Sequence, residues 1–189
     1  MKEGIYLYYI DFRNNSPIQK NNIQSKLDKE QLDFLTKITD ENDTITYLLQ
    51  GKELKINTDS IWGFCQNNTV YLNYQKNFCR IPVFGNISHF IAVIEITSNP
   101  YYNNNPSYYN YGIGGATMPV KTKEVRQFIL DFYSGNVVEF NNANFKEILS
   151  RDKKLYTEFT ALKKRKQKDQ IGIFLRRYND AHPVFFPKR

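Results

Sequence analysis

The chain has 189 residues and a mass of 22.4 kDa, and its 41% hydrophobic and 15% aromatic content suffices for one domain with a sizeable core. Mean hydropathy is −0.59 and no apolar run approaches the roughly eighteen residues that cross a bilayer, which argues against a transmembrane helix, and no charged start leads into an apolar segment as in a signal peptide. The net charge of +7 is uneven, since residues 1–120 carry 10 basic and 11 acidic groups while residues 121–189 carry 16 and 8.

Residues 4–12 are apolar enough to enter the core as a strand or a short helix, and Asn14-Asn15-Ser16-Pro17 ends them. Residues 18–43 read as polar and mostly irregular. Residues 44–49 and 53–56 flank Gln50-Gly51-Lys52 as a hairpin.

Residues 61–83 then read as three short strands with turns at Asn67-Asn68 and Gln75-Lys76. Asn tolerates the positive φ that a two-residue turn requires, whereas Gln and Lys do not favour it. These turns pair Cys65 with Val70, Gly63 with Leu72, Leu72 with Cys79 and Val70 with Ile81. Side chains alternate between faces of a strand, so Ile61, Gly63, Cys65, Val70, Leu72, Cys79, Ile81 and Val83 form an aliphatic face. Trp62, Phe64, Tyr71, Asn73, Phe78 and Arg80 form an aromatic one, which either packs under helices or serves as a binding surface. Cys65 and Cys79 share a face across an intervening strand, about 9.6 Å apart. A disulfide needs Cα atoms within about 7 Å, so both thiols are expected to be reduced and buried.

Residues 87–97 form a β-branched run, expected to be the longest buried strand. Residues 98–120 read as a long loop, where Tyr101-Tyr102-Asn103 is echoed by Tyr108-Tyr109-Asn110. Those tyrosines either stack on a sugar or base, or anchor a covering loop. Residues 127–132 and 136–140 flank Tyr133-Ser134-Gly135 as a further hairpin.

Helices come next, capped by Asn141, Asn142 or Asn144 and then by Asp152. Leu155, Phe159 and Leu162 make one apolar stripe; Ile171, Phe174, Leu175 and Tyr178 make another, roughly 140° around the axis. One straight helix cannot lay both on one surface, so a break or bend is expected within 163–169, or else a helix sandwiched between two surfaces.

Residues that carry chemistry are sparse. His89 and His182 are the only histidines, and the two cysteines lack metal-ligand spacing, so no catalytic residue, metal or cofactor is assigned. Gly112-Ile113-Gly114-Gly115 lacks the third glycine of a dinucleotide fingerprint and no Lys-Ser/Thr follows it. Asp59 and Glu95 read as exposed strand-end acids. The densest basic patch, Lys163, Lys164, Arg165, Lys166 and Lys168, suits nucleic acid, an anionic membrane or a solvated helix. No helix-turn-helix, RNP or KH pattern accompanies it, which argues against nucleic acid.

Three segments resemble a group of uncharacterised exported or lipoprotein-like proteins of anaerobic gut bacteria. They are Gly4-Ile5-Tyr6 with Asp11-Phe12-Arg13-Asn14-Asn15-Ser16-Pro17, then Asp59-Ser60-Ile61-Trp62-Gly63-Phe64 with Val70-Tyr71-Leu72-Asn73, and Phe174-Leu175-Arg176-Arg177-Tyr178-Asn179 with His182-Pro183. The resemblance implies an extracytoplasmic location, with a signal sequence ahead of Gly4 in the native protein, but brings no catalytic signature.

The resulting expectation is one α+β domain over 1–189. It has an antiparallel meander of seven to nine strands at 44–140, open to closing partly as a barrel, and a helical part at 141–189. Its expected role is a non-catalytic binding or scaffold domain of the cell envelope, contacting a glycan or envelope protein through Trp62, Tyr71 and Arg80 or through Tyr101, Tyr102, Tyr108 and Tyr109. The alternative is an anion-binding module, for nucleic acid or anionic lipid, acting through the basic C-terminal helix.

Overall fold

The computed structural model describes residues 1–98 and 120–187. The chain forms β1 (Gly4–Tyr6), α1 (Tyr9–Arg13), β2 (Ile23–Gln24), α2 (Phe34–Asp40), β3 (Thr44–Leu49), β4 (Lys52–Asn57), β5 (Gly63–Gln66), β6 (Thr69–Tyr74) and β7 (Asn77–Arg80). Two long strands, β8 (Ile87–Ser98) and β9 (Val120–Asp131), precede β10 (Val137–Glu139), α3 (Asn142–Leu149), α4 (Lys153–Thr160) and α5 (Lys164–Ala181). The class is α+β with C-terminal helices. The described strands divide among three antiparallel sheets, ordered β1-β5-β6-β7, β2-β3-β4 and β10-β9-β8, and none closes into a barrel.

The contacts define two compact units, Met1–Ala92 with Gln127–Arg189, and Val93–Arg126. In the second, residues 93–98 and 120–126 are the outer parts of β8 and β9; Thr122 there donates to Ile96 O at 3.4 Å. The hydrophobic clusters and the helices among the described residues belong to the first unit.

The meander has the expected register, with Cys65 opposite Val70, Gly63 opposite Leu72 and Leu72 opposite Cys79. Asn67 and Asn68 take φ of 50° and 58°. Gln75 and Lys76 take 50° and 66° despite their side chains, helped by Asn77 Nδ2 donating to Gln75 O at 3.0 Å and by the 2.8 Å Lys76–Asp59 ion pair. Cys65 and Cys79 are buried and unbonded.

The expected faces fail at one place. Ile61 packs with Phe64, and Trp62 turns to the opposite side, where its ring stacks on Phe12 at 4.2 Å. The reason is local: Trp62 N donates to both Tyr6 O and Leu7 O, so strict alternation begins only at Gly63. Phe64, Tyr71 and Phe78 pack into a cluster with Phe34, Leu35 and Ile38 of α2, so the aromatic face lies under a helix at these positions.

That helix corrects the irregular reading of residues 18–43. Asp33 offers α2 no side-chain cap; instead Gln66 Oε1, buried at the end of β5, accepts from Leu35 N at 2.7 Å and Thr36 N at 3.2 Å. The Ile87 run is likewise not wholly buried: Phe90 and Ala92 face the core while Ile91 is 52% exposed.

Asn141 caps α3, its Oδ1 accepting from Ala143 N and Asn144 N, and Asp152 caps α4. The helix break falls at residues 161–163, ahead of the expected range of 163–169 and meeting it only at Lys163. It lets both apolar stripes enter one core, where Leu155, Phe159, Phe174, Leu175 and Tyr178 join Ile87, Ile129 and Phe145.

Candidate functional site

The candidates on the meander do not form one surface, because Trp62 packs on the opposite side of the sheet from Tyr71 and Arg80. Trp62 is half-buried against Phe12, Tyr6 and Tyr9, Tyr71 is stacked on Phe64 at 4.7 Å, and Arg80 is exposed. Trp62 and Tyr71 thus serve two different packed clusters, and although Arg80 lies directly opposite Tyr71 on the neighbouring strand, it is exposed while the Tyr71 ring is stacked on Phe64. Tyr101, Tyr102, Tyr108 and Tyr109, like Gly112 to Gly115, lie outside the described residues.

The histidines are held by packing partners. His182 Nε2 bonds Asp152 Oδ2 at 2.9 Å, tying the end of α5 to the cap of α4, and His182 O accepts from Asn86 Nδ2 at 2.9 Å. The Asp152 carboxyl lies below its ordinary value, chiefly because Leu155 N–H donates to it and secondly through His182. The motif residue Asn179 is structural as well: its amide accepts from Ile87 N at 2.8 Å and donates to Ile87 O at 2.9 Å, acting as a short extra strand beside β8.

The basic segment is different. Lys163, Lys164, Arg165, Lys166 and Lys168 are all exposed, and among the described residues none has an ion-pair partner. Gln167, in their midst, is buried and donates through Nε2 to Leu162 O at 2.9 Å. One side of the segment is therefore fastened and the charged remainder is displayed on the opening turns of α5. That helix has no side-chain cap and no acid in its first turn. Cations are disfavoured beside the positive end of a helix dipole by about 0.3–1 kcal/mol each, so the charge of the first turn stands uncompensated within that turn.

Further along α5 the pattern continues. Lys164, Lys168 and Arg176 fall on four-residue steps with Gly172 at the missing step, so Lys164 and Lys168 are neighbours while Arg176 stands two turns, about 12 Å, beyond Lys168. Lys168 and Arg176 border a groove of about 520 Å³ between α5 and the strand side of the fold. Phe140 and Ile171 supply its apolar floor, and Asp169 is its acidic lining residue. His89 closes the strand side, sharing a 2.9 Å hydrogen bond with Gln127 Oε1 and meeting the Phe140 ring edge-on at 5.0 Å. A second hollow of about 300 Å³ shares Gln127, Phe140, Lys168 and Ile171 and extends toward Asn141.

The sequence displayed the basic run directly, but His89, Phe140 and Gly172 gave no sign of sharing a groove with it. A glycine at the missing step of a basic stripe is the one signal that could have pointed there. A third cavity, about 330 Å³, is lined by Asp40, Asp43, Asp59 and Lys76, where Asp59 already pairs with Lys76. Among the described residues no group of three His, Cys, Asp or Glu side chains could hold a metal ion.

No family model, curated protein or solved structure matches this chain.

Proposed function

We propose that this protein is a non-catalytic, exported binding domain of the cell envelope that docks on anionic lipid through the basic opening turns of α5. The observation carrying this reading is the arrangement of Gln167: burying it fixes the segment, and fixing it holds Lys163, Lys164, Arg165, Lys166 and Lys168 in water without acidic partners among the described residues. Such residues each contribute about 1 kcal/mol near an anionic surface and are screened by salt. No helix of the described residues is long and apolar enough to cross a membrane. The exported location is supported by the resemblance of the Gly4, Trp62 and Phe174 segments.

Cosedimentation with vesicles of phosphatidylglycerol and phosphatidylcholine tests the reading. Binding is expected to rise with phosphatidylglycerol content and fall with salt. Replacing Lys163, Lys164, Arg165 and Lys166 by Gln should lower it at least about tenfold, from the per-residue contribution above. Equal binding by the neutralised protein, or binding to an oligonucleotide but not to the vesicles, would overturn it.

A further inference from the structure

We infer that the groove beside α5 is a binding site for a small amphipathic anion, in which one carboxylate or phosphate head is joined to a planar or short aliphatic body. The inference rests on the anion-binding reading of α5 and names the chemistry its inner end would take.

Three independent features converge on that class. The volume of about 520 Å³ falls in the range of small-molecule sites, and the floor of Phe140 and Ile171 suits an apolar body. Lys168 and Arg176 stand at the border as two cationic donors without ion-pair partners among the described residues, one on either side of Gly172, so an anionic head can pair with either. Gly172 lies between them on the same helix face. Glycine inside a helix costs about 1 kcal/mol relative to alanine, and here no packing requires it, because a Cβ at 172 would meet nothing within 4 Å. The missing side chain leaves the groove open where a long side chain would enter it. Asp169 adds selectivity, since its charge favours a single anionic head over a multiply charged one.

A free acid and a lipid head group with the base of its chains share this chemistry, and the experiment separates them. Binding of 1-anilinonaphthalene-8-sulfonate, a soluble aromatic anion, is measured by fluorescence titration alongside dihexanoyl phosphatidylglycerol below its micelle concentration. Wild type is expected to bind at least one of the two. Lys168→Gln with Arg176→Gln should weaken that binding at least about tenfold, since even one charge-assisted hydrogen bond is worth that much affinity and two donors are removed. Gly172→Leu should abolish it by filling the groove, while Gly172→Ala should retain it. Thermal melts and circular dichroism confirm that each variant is folded.

Binding of the lipid with no binding of the dye identifies a head-group site; the reverse identifies a free acid. The protein neutralised at Lys163, Lys164, Arg165 and Lys166 should keep groove binding even where vesicle docking is lost, so the two proposals fail separately. Unchanged binding by folded Gly172→Leu, or binding of neither probe by wild type, overturns the inference.

Discussion

Phe12 shows how much one residue can organise. It is fully buried, and its ring meets Tyr6, Tyr9, Trp62, Phe84, Phe132 and Phe186 with centroids 4.2–6.3 Å apart. Truncation to Ala leaves six rings facing a cavity, so Phe12→Ala should cost about 3–5 kcal/mol in urea unfolding. Asp131 is the polar counterpart. Burial alone would raise its carboxyl, but hydrogen bonds from Arg151 at 2.7 and 2.8 Å, from Ser134 and from Tyr133 N–H outweigh it and hold the group below its ordinary value of 3.8. A carboxyl depressed in the folded state stabilises fully above its unfolded value, and the contribution is lost as pH falls through the lower folded one. The urea midpoint should therefore drop below about pH 4, and Arg151→Met should flatten that limb. Because the Arg151 side chain is 41% exposed, the substitution should cost about 2 kcal/mol near neutrality, less than for a wholly buried pair. The sequence did not mark the ion pair: that Asp131 would meet Arg151, twenty positions later, depends on where α3 turns the chain.

Among the strands and helices, signals were legible where local physics decides. The Asn67-Asn68 and Gln75-Lys76 turns, the β3–β4 hairpin and the caps at Asn141 and Asp152 all rest on backbone angles and hydrogen bonds within a few residues. Helix α2 escaped because its start is capped from afar. Gln66 lies thirty-one residues beyond Leu35 and supplies what Asp33 does not. Gln66→Ala should accordingly destabilise by about 1–3 kcal/mol, by leaving two donors unpaired, and hydrogen exchange should quicken first in α2. Helix α5 carries the opposite expectation. Gly172→Ala should raise stability by as much as about 1 kcal/mol, since a methyl there has room and removes backbone freedom from the unfolded chain.

Closure of the first unit as a body joins its two ends. Phe186 stacks on Phe84 at 5.9 Å and meets Phe12 at 5.6 Å, so the last described residues complete the core begun by α1. Burial also governs the thiols. It pushes Cys65 up to about 11 and raises Cys79, and a protonated thiol is a poor nucleophile. Both should resist a disulfide reagent at neutral pH in the native protein and react promptly in urea. Fast native labelling would show that the meander opens readily.

Side-chain period and turn geometry over short spans already dictate the strand pairing of residues 63–80, the hairpins, the helix caps and the need for a break between two helical stripes, and all of these can be read without coordinates. Folding in three dimensions settled the rest: Ile61 and Trp62 exchange faces, α2 covers Phe64, and His89, Phe140 and Gly172 border one groove. These contacts join residues tens of positions apart, and what selects them is the common burial of sheet and helix faces, a quantity no local window contains. The basic run on α5 belongs to both: its charge is written in the sequence, while its exposure was set by burying Gln167.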